Sequence, residues 1–514
     1  MLGRVRPVCI LGLLLSSWAC GDSGTTADGT TDDVTTVDVT TVDVTNGSGA
    51  TADGTTDDGG EAACPGAWDQ GFAIEMPSLP PGDPEAGYAA LLSEDYVSCG
   101  IPWSVFSLAE GVLGIEDPLP GRVGKNAEVG HSWTVVTLED QSELVVSNCL
   151  QCHAGRFNGE LIVGLGKADI DNTTPFNEIL DPLPSLPETT EANIAFNKFK
   201  ARISILGPSV VMATIGSNPA VMYAIALMAH RDPQTLAWSD EALFELLPGK
   251  NLPADPPPWW RAKKKATHFA NGMSRGDHRG TMILASSLCT DSVEEVEEML
   301  GYFADIQAYL GSLEAPKYPF SIDATLATEG EALFECSCSG CHGTYDDDPD
   351  AETFPNLLIP TEVIGTDPSF AEYAGPGGAY NHLEARFNES IYGSIGEVVT
   401  AGPAPGYTAP PLDGIWATAP FFHNGSVPTL AMVLDSAARP NFWRRVDYDS
   451  TNFDEDALGW PWNVSEVGHQ DAADDERKFI YDTTLFGYGN GGHTFGDHLS
   501  DSERRALLEY LKTL

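Results

Sequence analysis

The chain has 514 residues, of which 75 are Asp or Glu and 27 are Lys or Arg, for a net charge of −48. So large an acidic excess argues against nucleic acid or an anionic membrane surface as a direct partner. It fits a basic redox partner protein or an uncharged substrate. The length is too great for one hydrophobic core and predicts two folded domains.

The chain starts with Arg4 and Arg6, an apolar run from Val8 to Leu15, and small residues ahead of Cys20. This reads as an export signal, and the run is too short to span a bilayer as a stable helix. Residues 1–20 are therefore expected to be a lipoprotein-type signal peptide, with Cys20 acylated and membrane attachment through that lipid alone. Ordinary cleavage is the alternative, because Ser17 stands where Leu is usual. The expected location is the outer membrane or cell surface, or the periplasm if Cys20 carries no lipid. Residues 21–63 contain no aromatic and no basic residue, and Thr26–Asp33 recurs at Thr51–Asp58. That composition cannot bury enough apolar surface to offset ordering entropy, so a disordered stalk is expected.

Next come two Cys-x-x-Cys-His motifs, Cys149-Leu150-Gln151-Cys152-His153 and Cys338-Ser339-Gly340-Cys341-His342. In such a motif the two thiols form thioethers with the vinyl groups of haem and the histidine supplies an axial nitrogen to iron. A zinc half-site or redox dithiol would account for one copy by accident, but hardly for two in an exported chain. The expected cofactors are two covalently bound haem c. Of the other cysteines, Cys64, Cys99, Cys289 and Cys336 allow up to two disulfides in any of three pairings, with Cys336 alternatively free beside Cys338.

The expected fold is mainly α: two cytochrome c-type haem domains with long loops and a helical insertion, behind the stalk. The first domain is placed at 64–318. Its motif follows the apolar run Leu144–Val146, and an insertion from Asp181 to Leu288 holds helices over Ile194–Leu206 and Ala220–His230. A further helix is expected over Ser292–Leu313 with Asp291 as N-cap. The second domain is placed at 319–514. An amphipathic helix over Asp323–Phe334 leads into Cys338, and Ser500 with Glu503 has capping-box spacing ahead of a terminal helix whose face is Leu507, Leu508 and Leu511. A helix before the motif, crossed by one at the domain's end, resembles the small cytochrome c domain.

The stretch Tyr407-Thr-Ala-Pro-Pro-Leu-Asp-Gly-Ile-Trp416, continuing through Thr418, Pro420 and His423 to Leu430, resembles the signature of the bacterial dihaem cytochrome c peroxidase and MauG superfamily. The long insertion, Pro258-Trp-Trp-Arg261 through His268 to His278, and Gly491-Gly-His493 are most similar to its dihaem rubber oxygenase-like branch. The resemblance implies that one iron keeps an exchangeable face for peroxide or dioxygen while the other is six-coordinate and handles electrons. It implies His493 as the second ligand of the His342 haem, since Ala437 occupies the place of the peroxidases' methionine; Met432 is the rival. It implies that His423 lies near the haem edges as a hydrogen-bonding group, and that the carbonyls of Thr418 and Pro420 bind calcium. Phe269 is implied to cover the distal face of the His153 haem, with Trp259 and Trp260 close by. His268 and His278 are both candidates for the far side of that iron. Arg261 and Lys263–Lys265 either face the haem propionates or form a solvated helix face.

The expected function is a dihaem oxidoreductase acting on a peroxide or on dioxygen with an apolar substrate, with Phe269, Trp259, Trp260 and His423 at the reacting haem. A non-catalytic dihaem electron-transfer lipoprotein is the alternative, and a MauG-type protein-modifying oxidase a third reading. The spin state separates them, because an open iron is high-spin.

Overall fold

The computed structural model describes residues 70–514, apart from 114–116, 248, 347, 376–377 and 398–403. The expected signal peptide, stalk, Cys9, Cys20 and Cys64 lie outside the described residues. The described residues fall in one compact unit.

Helices outweigh strands, but the described residues also build five small sheets of two or three strands, so "mainly α" understates the strand content. The apolar run ahead of the first motif is the central strand of one of them. Glu143–Ser147 pairs antiparallel with Trp133–Thr137 on one side and Ile101–Pro102 on the other. Its side chains Leu144, Val145 and Val146 are all buried, so both faces of the strand are covered.

The insertion holds helices Glu191–Leu206, Ala220–Ala229 and Arg279–Ser286. The following helix runs Val293–Ser312, and its N-cap is Ser292, whose hydroxyl accepts from the Glu295 N–H. Asp291 does not cap it, because its carboxylate is taken up in ion pairs with Lys198 and Arg202. Helix Pro84–Ser93 lies against Val293–Ser312 so closely that a Cβ on Gly87 would stand 2.0 Å from the Asp305 carbonyl oxygen.

Around the second motif, helix Ala324–Ser337 starts at the Asp323 cap and runs directly into Cys338. The terminal helix Asp501–Leu511 has the full Ser500/Glu503 capping box and buries Leu507, Leu508 and Leu511. The two helices cross in contact at Gly330, where a Cβ would be 2.0 Å from the Ala506 carbonyl oxygen.

Two large apolar clusters fill the unit, and neither is contiguous in sequence. The first gathers Leu150, the insertion helices and Phe303, but also Phe370, Tyr392 and Tyr407 from beyond the second motif. The second gathers Phe334, Trp416 and Leu511, but also Phe157, Leu165 and Trp260 from the first half. Cys99 and Cys289 form a disulfide across the first cluster. Cys336 is disulfide-bonded, not free. Among the described residues no helix is long and apolar enough to cross a membrane.

Candidate functional site

Both Cys-x-x-Cys-His motifs open onto one cavity of about 1320 Å³, above the ~300–1,000 Å³ usual for a single small-molecule site. The first motif forms a single turn, Leu150–His153, directly after the central strand Glu143–Ser147. The second forms the turn Ser339–His342 at the end of helix Ala324–Ser337. All four motif cysteines are unpaired thiols on the cavity wall. Burial pushes the thiols of Cys149 and Cys341 up to about 11.

His342 Nδ1 lies 2.8 Å from the carbonyl oxygen of Pro410. A carbonyl can only accept, so Nδ1 carries the proton and the Nε2 lone pair is free for a metal. Facing it, the ring of His493 has its centroid 6.3 Å from that of His342. Two imidazoles on opposite sides of one metal, each with a metal–nitrogen distance of ~2.0–2.1 Å, place their centroids about 6 Å apart. The loop that delivers His493 is held by the Arg439 guanidinium, which donates to the carbonyls of Asn490, Gly492 and His493. His493 itself sits at φ 45°, a left-handed conformation that this clamp maintains. Burial, with His342 and Arg439 beside it, pushes His493 down to about 4. Ala437 lies in a short 3₁₀ turn, Ser436–Ala438, and does not line the cavity. Met432 is likewise off the cavity.

His153 has a different setting. Its ring stacks on Trp259 at 5.0 Å and 25°, and burial pushes it down to about 4, with the Pro257 carbonyl working in the opposite direction. Phe269, His268 and His278 line the cavity. Phe269 meets Phe370 edge-on at 6.4 Å. Trp260 does not reach the cavity: its indole N–H donates to the Asp413 carbonyl and its ring packs in the second cluster. The dipeptide therefore splits, one indole serving each core.

The basic stretch splits as well. Lys263 pairs with Glu314, and Lys264 with Glu352 and Asp413, away from the cavity. Arg261 and Lys265 line it. Arg261 donates to the Asp413 carbonyl and Lys265 to the His268 carbonyl, but among the described residues neither has an ion-pair partner, and burial depresses Arg261 to about 10 and Lys265 to about 8. Unpaired buried cations are costly. Two of them on the wall of a large apolar cavity fit an anionic group within it, as the propionates of haem would be. Free thiols, oriented histidines and waiting cations together match the chemistry of haem c.

His423 also borders the cavity. It stacks on Tyr407 at 3.9 Å, its carbonyl accepts from the Asp255 N–H, and burial pushes its imidazole down to about 4. Thr418 and Pro420 line the same wall. Asp255, which sequence reasoning missed, lies on the cavity wall with its carboxyl driven well above the usual range by burial, against the pull of Arg261. No local signal marks it, since a lone Asp in a Pro-rich loop reads as a turn. The Pro410 carbonyl, by contrast, stood inside the signature stretch from Tyr407.

Residues 406–444 match the family model described as "RoxA-like, cytochrome c-like". Two proteins of Sinorhizobium fredii, both described as uncharacterized, are similar. The protein y4iJ is 31% identical over 292 residues, covering 45% of this chain and 47% of its own length. The protein y4iM is 32% identical over 241 residues, covering 40% and 52%. The chain spans about half the length of the curated relatives it matches. Together with the motif geometry, the domain match defines a cytochrome c-type haem protein carrying covalently bound haem c.

Proposed function

We propose that the protein is a dihaem oxidoreductase in which the haem attached through Cys149 and Cys152 meets peroxide or dioxygen, and the haem attached through Cys338 and Cys341 stores or relays electrons. The asymmetry of the two motifs is the observation that carries this reading. His342 faces an imidazole at the separation expected for two ligands of one metal, whereas His153 stacks on an indole. An iron with two strong protein ligands cannot bind an oxidant without losing one; an iron with one can.

When bound, the haems supply the redox chemistry. The chain's own residues hold and tune them: Pro410 orients His342, Arg439 holds the His493 loop, and Arg261 and Lys265 offer charge to propionates. Phe269 and its apolar neighbours keep bulk water from the face of the His153 haem. A calcium ion at the carbonyls of Thr418 and Pro420 belongs to the same proposal. Carbonyl oxygen suits calcium. An electron-donating or accepting partner protein and a lipid anchor at Cys20 complete the reading.

The test is anaerobic reduction followed by exposure to dioxygen and, separately, to hydrogen peroxide, with the optical and paramagnetic signals of each haem followed. One haem should be high-spin and bind external ligands while the other stays low-spin. Two low-spin haems that bind nothing in either oxidation state would leave the electron carrier as the function.

A further inference from the structure

His342 and His493 face each other, but they are held in different ways. A histidine that ligates a metal usually donates its second ring N–H to a fixed acceptor, which orients the ring. His342 has the Pro410 carbonyl for this purpose. The Nδ1 of His493 is buried and makes no hydrogen bond among the described residues. The Val433 carbonyl is near enough to favour a proton on the ring without meeting Nδ1 in bonding geometry. The direction of the His493 ring is therefore set by its backbone and by the flanking rings of Phe422 and Phe495, whose centroids lie 5.9 and 5.2 Å away.

That backbone does not support itself. Residues 488–494 form neither helix nor strand. Gly492 and His493 follow one another in the left-handed region, at φ 71° and 45°, which a residue with a side chain enters only at a cost. Three carbonyls of this loop converge on Arg439. Its Nη1 donates to Asn490 at 3.0 Å and Gly492 at 2.5 Å, and its Nη2 to His493 at 3.1 Å. The remaining two N–H groups reach back to the turn Leu430–Val433, Nε to the Met432 carbonyl at 2.8 Å and Nη2 to the Val433 carbonyl at 3.0 Å. A guanidinium has five N–H donors, so all five are spent, every one on a backbone carbonyl. Its flat face rests 5.0 Å from the centroid of Phe422, the ring that also flanks His493.

We infer, on the pairing of His493 with the His342 haem proposed above, that Arg439 is the positioning residue that makes His493 an iron ligand. The five-carbonyl fork keeps that haem six-coordinate, and without it the loop relaxes its left-handed pair, His493 withdraws, and the haem opens to external ligands. The shape of the donor set matters, not its charge alone. Lysine carries the same charge, but its donors sit on one nitrogen and cannot span two segments as a planar fork does. Attachment through Cys338 and Cys341 and the Pro410–His342 bond lie outside the fork and survive its loss.

The experiment counts open haems. Carbon monoxide bound per chain by the reduced protein, and the ferric spin state, are measured in the wild type, Arg439→Lys, Arg439→Met, Gly492→Ala and His493→Ala. Haem per polypeptide and the spectrum of the His153 haem serve as folding controls. The wild type should bind one carbon monoxide per chain, because an iron with two protein ligands has no free position. His493→Ala, Arg439→Met and Arg439→Lys should each bind two and gain a second high-spin signal, and added imidazole should return that second haem to low spin. Gly492→Ala leaves the guanidinium intact but displaces the loop from its other side, since the new Cβ would stand 2.0 Å from the Gly365 carbonyl carbon. It should also bind two, and it decides the matter where an Arg439 variant loses haem: a single carbon monoxide then overturns the inference. One carbon monoxide per chain and an unchanged low-spin signal in both Arg439 variants overturn it as well. If Arg439→Lys matches the wild type and only Arg439→Met opens, charge does the holding and the fork falls. If His493→Ala itself gains no carbon monoxide, His493 is not the ligand and the pairing beneath the inference fails, an outcome distinct from a His493→Ala that opens beside Arg439 variants that do not.

Discussion

The two Cys-x-x-Cys-His motifs share their two cysteines and histidine and differ in almost everything around them. The second is mounted on a small frame, helix Ala324–Ser337 crossed by Asp501–Leu511, and a clamped loop brings His493 to face its histidine. The first follows a buried sheet strand inside the larger cluster, with Trp259 stacked on His153 and Phe269, His268 and His278 bordering the same cavity. In the proposed reading the motif supplies attachment and one ligand, and what faces that ligand across the cavity, drawn from distant parts of the chain, would set whether an iron there is closed or open.

The comparison can be broken most severely at the attachment points. Replacing Cys338 and Cys341 with Ala should halve the haem measured per polypeptide and weaken the terminal part of the fold, since Phe334, Leu507 and Leu511 line the cavity in which the proposed haem would pack. Pyridine haemochrome and thermal unfolding together check this, and an unchanged haem content would remove the two-haem reading. Next in size is His493→Ala, which should turn one haem from low to high spin and leave the other's spectrum in place. A retained low-spin signal would point to a different ligand.

Removing the Cys99–Cys289 bridge tests the frame of the first motif. The bridge closes a sequence separation of 190 residues, and its loss, as Cys99→Ser with Cys289→Ser, should cost about 2–5 kcal/mol in denaturant unfolding. The His153 haem should respond before the His342 haem. Gly330→Ala tests the frame of the second. Its Cβ would run into the Ala506 carbonyl, so the helices must part, at about 1–3 kcal/mol, with the His342 haem responding first. The smallest effect belongs to Phe269→Ala, which should change carbon monoxide affinity at one haem by less than about tenfold, or 1.4 kcal/mol, without loss of haem. Any larger change at the His342 haem would contradict the separation of the two faces.

Much of the second motif's surroundings was legible in sequence because its determinants are local. Asp323 and Ser500 cap helices that begin next to them, the apolar spacing of Leu507, Leu508 and Leu511 marks one face, and the motif cysteines carry their chemistry wherever they fall. The first motif's strand was readable only as an apolar run. That it is the centre of a sheet depends on Ile101 and Trp133, whose pairing no local pattern encodes. Asp291 looked like an N-cap because it precedes the helix by two positions, but three-dimensional neighbours, Lys198 and Arg202, claimed its carboxylate and left the cap to Ser292. Trp259 and Trp260, adjacent in sequence, part company because two cores meet between them.

By itself, then, the sequence determined what is local and what is periodic: a haem c protein with acidic character, two Cys-x-x-Cys-His motifs, and the helices that bracket the second. The tertiary structure alone decided which groups meet across the cavity. It chose Arg261 and Lys265 over their neighbours as cavity cations, joined Cys99 to Cys289, and put Asp255 on the wall. These are pairings between segments far apart in the chain, and the free energy that selects them comes from burial and hydrogen bonding that exist only once both partners are in place.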